Sequence, residues 1–374
     1  MSDELVIAVP ARDECERIVA CLSACALSVE LSGLRARFLV LVNGSTDDTA
    51  RCVRMWATHR QLPTTIVQVD FAPGLSHAGA ARRLALELAG RGVAPGTTLL
   101  TTDADARPQI GWVTANLRHL HAGADLVCGA IRPMPSEAAQ LPRRLERFGE
   151  LEARYRAGVH ELEHWLDPDP RNPWPHHGGA SGASLAMRAG VLEAVGGVPL
   201  VPSGEDRALA SRMRENDRIV VHADDVRVEV SCRAHGRAAG GMADTIRYRM
   251  ADPDPWCDEA IRSARAVHAR LLDRASLRAL WAMALPGERI AALERRGVDA
   301  TYARSLARED IFAAAWGHYE RAVLDAAFSR LRFSALPGEL VQLEALLVRA
   351  RAGAVNPIRP QGPIGAPVAA ERTS

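Results

Sequence analysis

Short apolar runs rich in β-branched residues alternate with stretches of helical period along the first third of the chain. The runs predict strands at residues 5–9, 38–42, 66–69, 98–102 and 125–129. Between them, apolar side chains recur at the 3.6-residue spacing of a helix, as at Ile18, Cys21, Leu22 and Cys25. Because strands that alternate with helices imply parallel strands joined by right-handed crossovers, the pattern predicts an α/β fold of nucleotide-binding type.

The pattern changes after residue 135. One long helix is predicted over residues 137–166, and the proline-rich stretch that follows, 167–179, excludes regular structure. Further elements are predicted as strands at 181–187, 218–222 and 226–231 and as helices at 189–195 and 207–215. Helical period then continues to the end of an all-α appendage, and the Pro-, Gly- and Ala-rich tail is predicted to be disordered. We therefore expect a first domain over 1–241, a helical region over 242–355 and a tail over 356–374.

An Asp-x-Asp pair, Asp103 and Asp105, ends the fourth predicted strand. Pro108 predicts the first turn of a new helix after this strand. Likewise, Asp13 and Glu14 predict the first turn of the helix after the first strand. Carboxylates at the C-terminal end of a buried strand point into the crevice where open α/β sheets bind ligands. Mg²⁺ or Mn²⁺ bridging a diphosphate needs only one or two protein oxygens. Asp is also a common helix cap, so the pair alone leaves a metal site and a cap open.

Composition narrows the classes of function. The 374 residues are 48% hydrophobic and carry a formal charge of +1, so we expect a sizeable core and no basic face for nucleic acid. The chain contains no lysine, which excludes a P-loop lysine and Schiff-base chemistry and leaves arginine to bind phosphate. Seven cysteines without a C-x-x-C pair favour buried, reduced thiols. Without a signal sequence or a long apolar run, we expect a cytoplasmic protein with no integral membrane segment.

Four segments in this order resemble family 2 glycosyltransferases of the GT-A fold. They are residues 6–14 (VIAVPARDE), 41–49 (LVNGSTDDT), 102–105 (TDAD) and 204–206 (GED). The resemblance covers roughly residues 5–241. It implies a GT-A type nucleotide-binding mixed sheet flanked by helices, and inverting transfer of a sugar from a nucleoside diphosphate to an acceptor hydroxyl. It also implies a divalent cation, Mg²⁺ or Mn²⁺, as cofactor.

The resemblance also implies roles for individual residues. Asp105 would bind the metal, and Asp206, beside Glu205, would be the catalytic base. The donor would be contacted by residues from the other motifs: Pro10, Ala11, Arg12, Glu14, Asn43, Arg82, Asp103 and Ala104. Family members that read uracil usually carry an acidic pair where this chain has Val42 and Asn43, so UDP- and GDP-sugars both stay open. The absence of a Gln-x-x-Arg-Trp motif and of transmembrane helices favours transfer of a single sugar over polysaccharide synthesis.

Further candidates lie outside these motifs. Arg233 and Arg237 would neutralise the diphosphate together with Arg82, or belong to a solvated loop. His235 is a candidate third metal ligand, since imidazole suits Mn²⁺. By the family pattern, residues 176–182 would border the donor sugar and the acceptor, and the ring of Trp174 could stack on a sugar face. The acceptor-binding candidates are Trp174, His177, Gly178 and Gly179. The alternative for this stretch is a β-bulge with a packed tryptophan.

Chemistry and local sequence leave other interpretations to weigh. Glu205 beside Asp206 would raise the pKa of Asp206 toward a value useful in a base, whereas both acids could simply favour a helix N-terminus. His160 and His164 match the H-E-x-x-H pattern of zinc proteases, but no further motif completes that site. A sugar nucleotidyltransferase would open with a Gly-rich loop after strand 1, which is missing here. A catalytically silent nucleotide-binding or interaction module is the alternative from another class. No motif identifies the acceptor, the donor sugar or the oligomeric state.

Overall fold

The computed structural model describes residues 4–72, 74–234, 241–324 and 329–355. In these residues a mixed, eight-stranded sheet has the strand order β3-β2-β1-β4-β7-β6-β8-β5. The strands are β1 (Leu5–Ala11), β2 (Ala36–Asn43), β3 (Thr64–Val69), β4 (Thr98–Thr101), β5 (Arg107–Pro108), β6 (Leu126–Pro133), β7 (Leu185–Arg188) and β8 (Val220–Val230). The strands β3, β2, β1 and β4 are parallel to one another, as are β6 and β8, whereas β7 runs antiparallel to both β4 and β6. This is the mixed α/β sheet expected of a GT-A fold.

Helices cover both faces of the sheet because the central strands are apolar on both sides. Along β1, Ile7 and Val9 lie in the core that contains residues of the helices after β1, β2 and β5, while Val6 and Ala8 lie in the core on the opposite face. The helices of this first part are α1 (Ile18–Ser32), α2 (Thr49–Arg60), α3 (Ala78–Gly90), α4 (Trp112–His121), α5 (Pro135–Ala138), α6 (Arg143–Leu166), α7 (Ala189–Ala194) and α8 (Glu205–Glu215).

The C-terminal part is helical, as expected. Its helices are α9 (Met242–Ala251), α10 (Ala264–Met283), α11 (Pro286–Glu294), α12 (Ala300–Leu306), α13 (Phe312–Tyr319) and α14 (Leu336–Val355), with a π-helical turn at Glu320–Leu324 and a 3₁₀ turn at Phe333–Ala335. The helix α6 shares a buried cluster with these helices, in which Tyr155 and Leu162 join Leu271 of α10 and Leu343 of α14. This cluster contains residues from both sides of the predicted boundary at residue 241. Whether the boundary separates two domains stays a prediction. No helix of the described residues is long and apolar enough to cross a membrane. The predicted tail lies outside the described residues.

Several local predictions were wrong. Arg107 and Pro108 do not begin a helix but form β5, which pairs with Val228 and Glu229 of β8. Proline is tolerated there because β5 ends the strand order and needs no second partner. Asp13 has φ of +50° and lies in a loop, so α1 begins only at Ile18.

Two longer elements also differ from their predictions. The helix predicted over 137–166 is interrupted between α5 and α6, where Pro142 precedes the first residue of α6. Proline is compatible with a helix start but not with a helix interior, so one periodic stretch became two helices. The two strands predicted at 218–222 and 226–231 are one strand, β8, whose register against β6 shifts at Gly129 and Ala130.

Candidate active site

Two loops at the carboxyl ends of β1 and β2 hold each other in place. The Thr46 backbone N–H donates to Oδ1 of Asp13 over 2.7 Å, and the Glu14 N–H donates to Oγ1 of Thr49 over 2.8 Å. The Cys15 N–H donates to Oδ2 of Asp47 over 3.0 Å. These reciprocal bonds tie the loop that carries Glu14 to the Ser-, Thr- and Asp-rich loop after β2. Two predicted nucleoside-binding segments are thereby brought together.

Asn43, the last residue of β2, has a buried side chain with an unpaired oxygen. It is 3% exposed, and its Oδ1 atom has no hydrogen-bond partner in the described part of the chain. A buried polar atom without a partner costs free energy, so such an atom at a strand end marks a position where a ligand can donate a hydrogen bond. Nearby along β1, Pro10 and Ala11 end the strand, and Nη1 of Arg12 donates to Oγ of Ser76 over 3.2 Å.

The Asp-x-Asp loop after β4 lies in a concentration of negative charge. Burial, followed by the charges of Asp103 and Glu14, raises the pKa of Asp105 to about 7. Arg233 opposes this shift: its Nη2 lies 3.1 Å from Oδ2 of Asp105, and its Nη1 donates to Glu14 over 2.9 Å. Ala104 between the two acids is buried. Of the arginine-rich loop after β8, Arg233 therefore reaches the acids, whereas His235 and Arg237 lie outside the described residues.

Arg82 of α3 joins the Asp-x-Asp loop to the start of α8. Its guanidinium donates to Oδ1 of Asp103 over 2.6 Å and to Oε1 of Glu205 over 2.9 Å. It also donates to Thr101 over 3.1 Å and to the carbonyl oxygen of Gly182 over 2.8 Å. The side chain is only 4% exposed. The predicted contact of Arg82 with a diphosphate stays a prediction, and its guanidinium is already committed to protein atoms.

Asp206 is the second residue of α8, which begins directly after Gly204 with φ of +74°. Its Oδ2 accepts the Gly182 N–H over 2.9 Å, and its Oδ1 accepts the Arg207 N–H over 2.7 Å. Burial and then the charge of Glu205 raise the pKa of Asp206. Burial acts the same way on Glu205, but Arg82 outweighs it and lowers the pKa of Glu205. The carboxylate of Asp206 is therefore the stronger base of the pair.

These contacts bring the two distant acidic motifs together. Asp103 bonds to Arg82, Arg82 bonds to the carbonyl of Gly182, and the N–H of Gly182 bonds to Asp206. Gly182 belongs to the stretch 176–182 that the sequence predicts at the border of the donor sugar and the acceptor, but its bonds to Arg82 and Asp206 were not predicted. A Cβ at this position would overlap the Arg82 guanidinium, so only glycine fits. The Gly-Ala-Ser-Gly run is the local signal that could have found it.

The predicted acceptor residues lie in the proline-rich loop. Nδ1 of His177 accepts the Gly179 N–H over 3.1 Å, so its Nε2, 3.1 Å from the carbonyl oxygen of Cys128, is the donor atom. Gly178 has φ of +65°, and a Cβ there would overlap the ring of His160. Trp174 stacks on His164 with ring centroids 5.5 Å apart and remains partly exposed. Both interpretations of this loop, acceptor border and packed tryptophan, stay open.

The two histidines of the H-E-x-x-H sequence, His160 and His164, contact different neighbours. The ring of His160 lies 5.1 Å from that of His176, whereas His164 contacts Trp165 and Trp174. Among residues 4–72, 74–234, 241–324 and 329–355, no group of three or more His, Cys, Asp or Glu side chains is placed to hold a metal ion by itself. The helix α6 therefore gives no support to the zinc-protease alternative.

The mixed sheet with an acidic motif at the end of β4 is the arrangement expected of a GT-A glycosyltransferase. The model of the family described as "Glycosyl transferase family 2" matches residues 6–196, just over half of the 374-residue chain. This chain belongs to glycosyltransferase family 2. No curated protein matches it in sequence, so the family model carries the assignment.

Several solved glycosyltransferases are similar in structure. A mannosyltransferase from Pyrobaculum calidifontis, PcManGT, in complex with GDP-Man and Mn²⁺, is 18% identical over 96% of this chain and 89% of that chain, with a TM-score of 0.45. Residues 1–349 of TarS from S. aureus, in complex with UDP-GlcNAc, are 14% identical over 95% and 88%, with a TM-score of 0.43. Glucosyl-3-phosphoglycerate synthase from Mycobacterium tuberculosis, with Mn²⁺ and UDP, is 20% identical over 67% and 78%, with a TM-score of 0.38.

Proposed function

We propose that this glycosyltransferase moves a single sugar from a nucleoside-diphosphate sugar to an acceptor hydroxyl, with inversion and with a divalent cation. The observation that supports this most is the continuous set of hydrogen bonds from Asp103 through Arg82 and Gly182 to Asp206. Through these bonds the carboxylate of Asp206 lies at the same end of the sheet as the Asp-x-Asp loop, which supports a role for both in one site. Inverting transfer needs those two groups on one site.

Asp206 is the proposed general base. The acceptor oxygen forms a bond to the anomeric carbon while the bond from that carbon to the diphosphate oxygen breaks, and Asp206 takes the hydroxyl proton. The N–H groups of Gly182 and Arg207 fix the orientation of the carboxylate. Its raised pKa makes it a stronger base than an exposed aspartate, which supports this role.

The residues around Asp105 suit a hard divalent cation. The charges of Asp103 and Glu14 raise the pKa of Asp105, so negative charge is concentrated there, although the described carboxylates are not placed to hold an ion by themselves. Oxygen ligands of this kind suit Mg²⁺ or Mn²⁺, and such a site takes its remaining ligands from phosphate and water. Asp105 would hold the ion, which would neutralise charge on the departing diphosphate. Arg233 supplies positive charge to the same carboxylates, and His235 and Arg237 stay proposed contributors.

The donor nucleoside is proposed to lie over the loops after β1 and β2. Asn43 presents an unpaired acceptor there, and its amide can donate as well as accept, so UDP- and GDP-sugars both fit its chemistry. Pro10, Ala11, Arg12 and Glu14 are the proposed neighbours. For Arg82 we propose a positioning role, because its buried guanidinium already orients Asp103 and Glu205.

Two carboxamide variants test the proposal. Calorimetry with UDP and GDP, each with and without Mn²⁺, first identifies the donor nucleoside. Asp206→Asn should then keep donor affinity but lose transfer by about 10²–10⁴-fold, because it lacks the base. Asp105→Asn should weaken Mn²⁺-dependent donor binding. Asp310→Asn, an exposed aspartate of the helical region, is the matched control and should behave as wild type. Full transfer by Asp206→Asn with a confirmed donor would show the proposal to be wrong, and a chain that binds neither nucleotide would favour a silent binding module.

A further inference from the structure

A cavity of about 740 Å³ lies between α6, α14 and the proline-rich loop. One wall is formed by Leu343, Leu347 and Val348 of α14, and another by Ala157 and Gly158 of α6. The loop residues from Trp174 to His177 line the cavity opposite these helices. Its volume falls within the range typical of small-molecule sites, and its helical walls are mainly apolar. The role proposed above for the Asp-x-Asp loop and Asp206 makes no use of it.

The charged side chains of the cavity are paired with each other. Arg154 of α6 forms an ion pair with Glu344 of α14, and Nε of Arg351 of α14 donates to Oε1 of Glu161 of α6 over 2.7 Å. Both pairs connect the two helices, and the two arginines and two glutamates offset one another in charge. Asp224 adds an exposed carboxylate to the lining. The helices therefore bring no net charge to the cavity, which suits a ligand that is uncharged where it contacts them.

The two histidines of the lining do not change this conclusion. Burial lowers the pKa of His176 and that of His177, so both rings are neutral at neutral pH. The partly exposed ring of Trp174 offers an apolar face at the same cavity. The walls thus combine aliphatic, aromatic and neutral groups, which suit an apolar ligand.

The proline-rich loop connects this cavity to the proposed base. His177 lines the cavity, and Gly182, five residues later, donates its N–H to Asp206 over 2.9 Å. Five residues of extended chain span at most about 18 Å, so Gly182, which contacts Asp206, lies no farther than that from His177. An elongated acceptor can therefore place one end in the cavity and its hydroxyl at the base.

We infer that this cavity binds an apolar portion of the acceptor, such as an alkyl chain or an aromatic aglycone. The inference rests on the proposed function, because only an acceptor needs to reach both the cavity and Asp206. It names the class of acceptor that the sequence left open: an alcohol joined to an uncharged apolar group. A polar oligosaccharide is the competing ligand, and the experiment below separates the two.

Alkyl β-D-glucosides with methyl, butyl, hexyl and octyl chains, kept below their micelle-forming concentrations, serve as probes in calorimetry. If the chain enters the cavity, affinity should rise by about three- to fourfold for each methylene that is buried. Val348→Trp should flatten this series, because a larger side chain occupies the lining. Val341→Trp is the matched control: both valines are exposed on α14 (68% and 63% for Val341 and Val348), but Val341 does not line the cavity.

Either of two results in the chain-length series would overturn the inference. One is an affinity that does not depend on chain length in the wild-type protein, as a polar oligosaccharide site would give. The other is the same chain-length dependence in Val348→Trp and Val341→Trp, which would mean that the chain binds elsewhere. The octyl probe should also bind equally well beside saturating GDP or UDP with Mn²⁺, and displacement by the nucleotide would place the cavity in the donor site. Failure of the proposed function has a different signature, since neither nucleotide would then bind.

Discussion

Arg82 is the residue on which the arrangement of the acids depends. It is buried between Asp103 and Glu205, which are themselves 102 residues apart along the chain (205 minus 103). A buried charge pair that loses one partner leaves the other as an uncompensated charge in a medium of low polarity. Arg82 therefore contributes to stability and to the geometry of the site through the same four groups.

We expect Arg82→Ala to lower the free energy of unfolding by about 3–5 kcal/mol, because the carboxylates of Asp103 and Glu205 lose their cationic partner. Urea denaturation measures this change. Arg51→Ala removes an exposed ion pair with Asp48 and should change the free energy of unfolding by about 0.5 kcal/mol or less. Equal stability of Arg82→Ala and the wild-type protein would mean that water reaches this network freely.

The candidate site could be predicted from sequence only where its signal is local. Asp103 and Asp105 stand at a strand end, where local pattern singles them out, and Asp206 was singled out by the resemblance of residues 204–206 to a family motif. The partners of Arg82 could not be predicted, because Gly182 and Glu205 are 100 and 123 residues away in the chain. The resemblance to the family implied that Arg82 contacts the diphosphate, and this contact stays a prediction. In the structure the guanidinium donates to two carboxylates, a hydroxyl and a carbonyl oxygen.

At the scale of elements, Gly182 allows the segment before β7 to approach α3. Gly182→Ala should destabilise the protein by about 1–3 kcal/mol, because the added methyl group overlaps a guanidinium that four partners hold in place. Gly149→Ala is the matched control: Gly149 is exposed in α6, and an added Cβ there meets no atom within 4 Å. This variant should instead stabilise by about 0.5–1 kcal/mol, since alanine favours a helix. Thermal unfolding measures both changes: the melting temperature should fall in Gly182→Ala and rise in Gly149→Ala. A rise in both variants would contradict the packing described for Gly182.

His222 of β8 anchors the proline-rich loop. Its N–H donates to Oδ1 of Asn172 over 2.9 Å, and its Nδ1 accepts from Nδ2 of Asn172 over 3.0 Å. Burial, followed by the charge of Arg214, lowers the pKa of His222 to about 2. In the unfolded chain a histidine has a pKa of about 6.5. Below that pH the unfolded chain therefore binds a proton at this histidine, whereas the folded protein leaves His222 neutral.

We expect the free energy of unfolding to fall by about 1.4 kcal/mol per pH unit from this residue alone as the pH drops below about 6.5. Above that pH the contribution is constant, because His222 is neutral in both states. Urea denaturation between pH 7 and pH 5 measures the slope, and His222→Gln should reduce it. His59→Gln, at an exposed position of α2, should leave the slope as in the wild-type protein. An unchanged slope in His222→Gln would indicate that the folded protein protonates this ring.

The elements themselves were predictable where periodicity and packing agree. The strands β1, β2 and β4 lie in the interior of the sheet and are buried runs dominated by apolar and β-branched residues, so their existence was evident. The strand β5 was not predictable, because Arg107 and Pro108 have no strand pattern and are paired only through β8, about 120 residues later. The single strand β8 was also missed, since the two acidic residues at its centre, Asp224 and Asp225, resemble a turn.

At the scale of the whole molecule, α6 connects the sheet to the C-terminal helices. Its residues Tyr155 and Leu162 are buried with Leu343 of α14, while its neighbour Asp167 accepts hydrogen bonds from Arg278 of α10. A second connection joins α8 to the π-helical turn, where Nη1 of Arg321 donates to Glu215 over 2.7 Å. We therefore propose that residues 1–241 and 242–355 form two regions of one cooperative unit.

Leu343→Ala tests this cooperativity, because Leu343 is buried in the cluster that α6 and α14 share. It should lower the free energy of unfolding by about 2–5 kcal/mol through lost burial and a cavity. Val341→Ala, two residues earlier on the exposed side of α14, is the control and should change it by about 0.5 kcal/mol or less. If the sheet and the helices unfold together, calorimetry shows one transition in each protein, and Leu343→Ala moves all of it to lower temperature. Two transitions, of which only one moves, would mean that the sheet folds without the helices and that the predicted boundary at residue 241 is a domain boundary in the full sense.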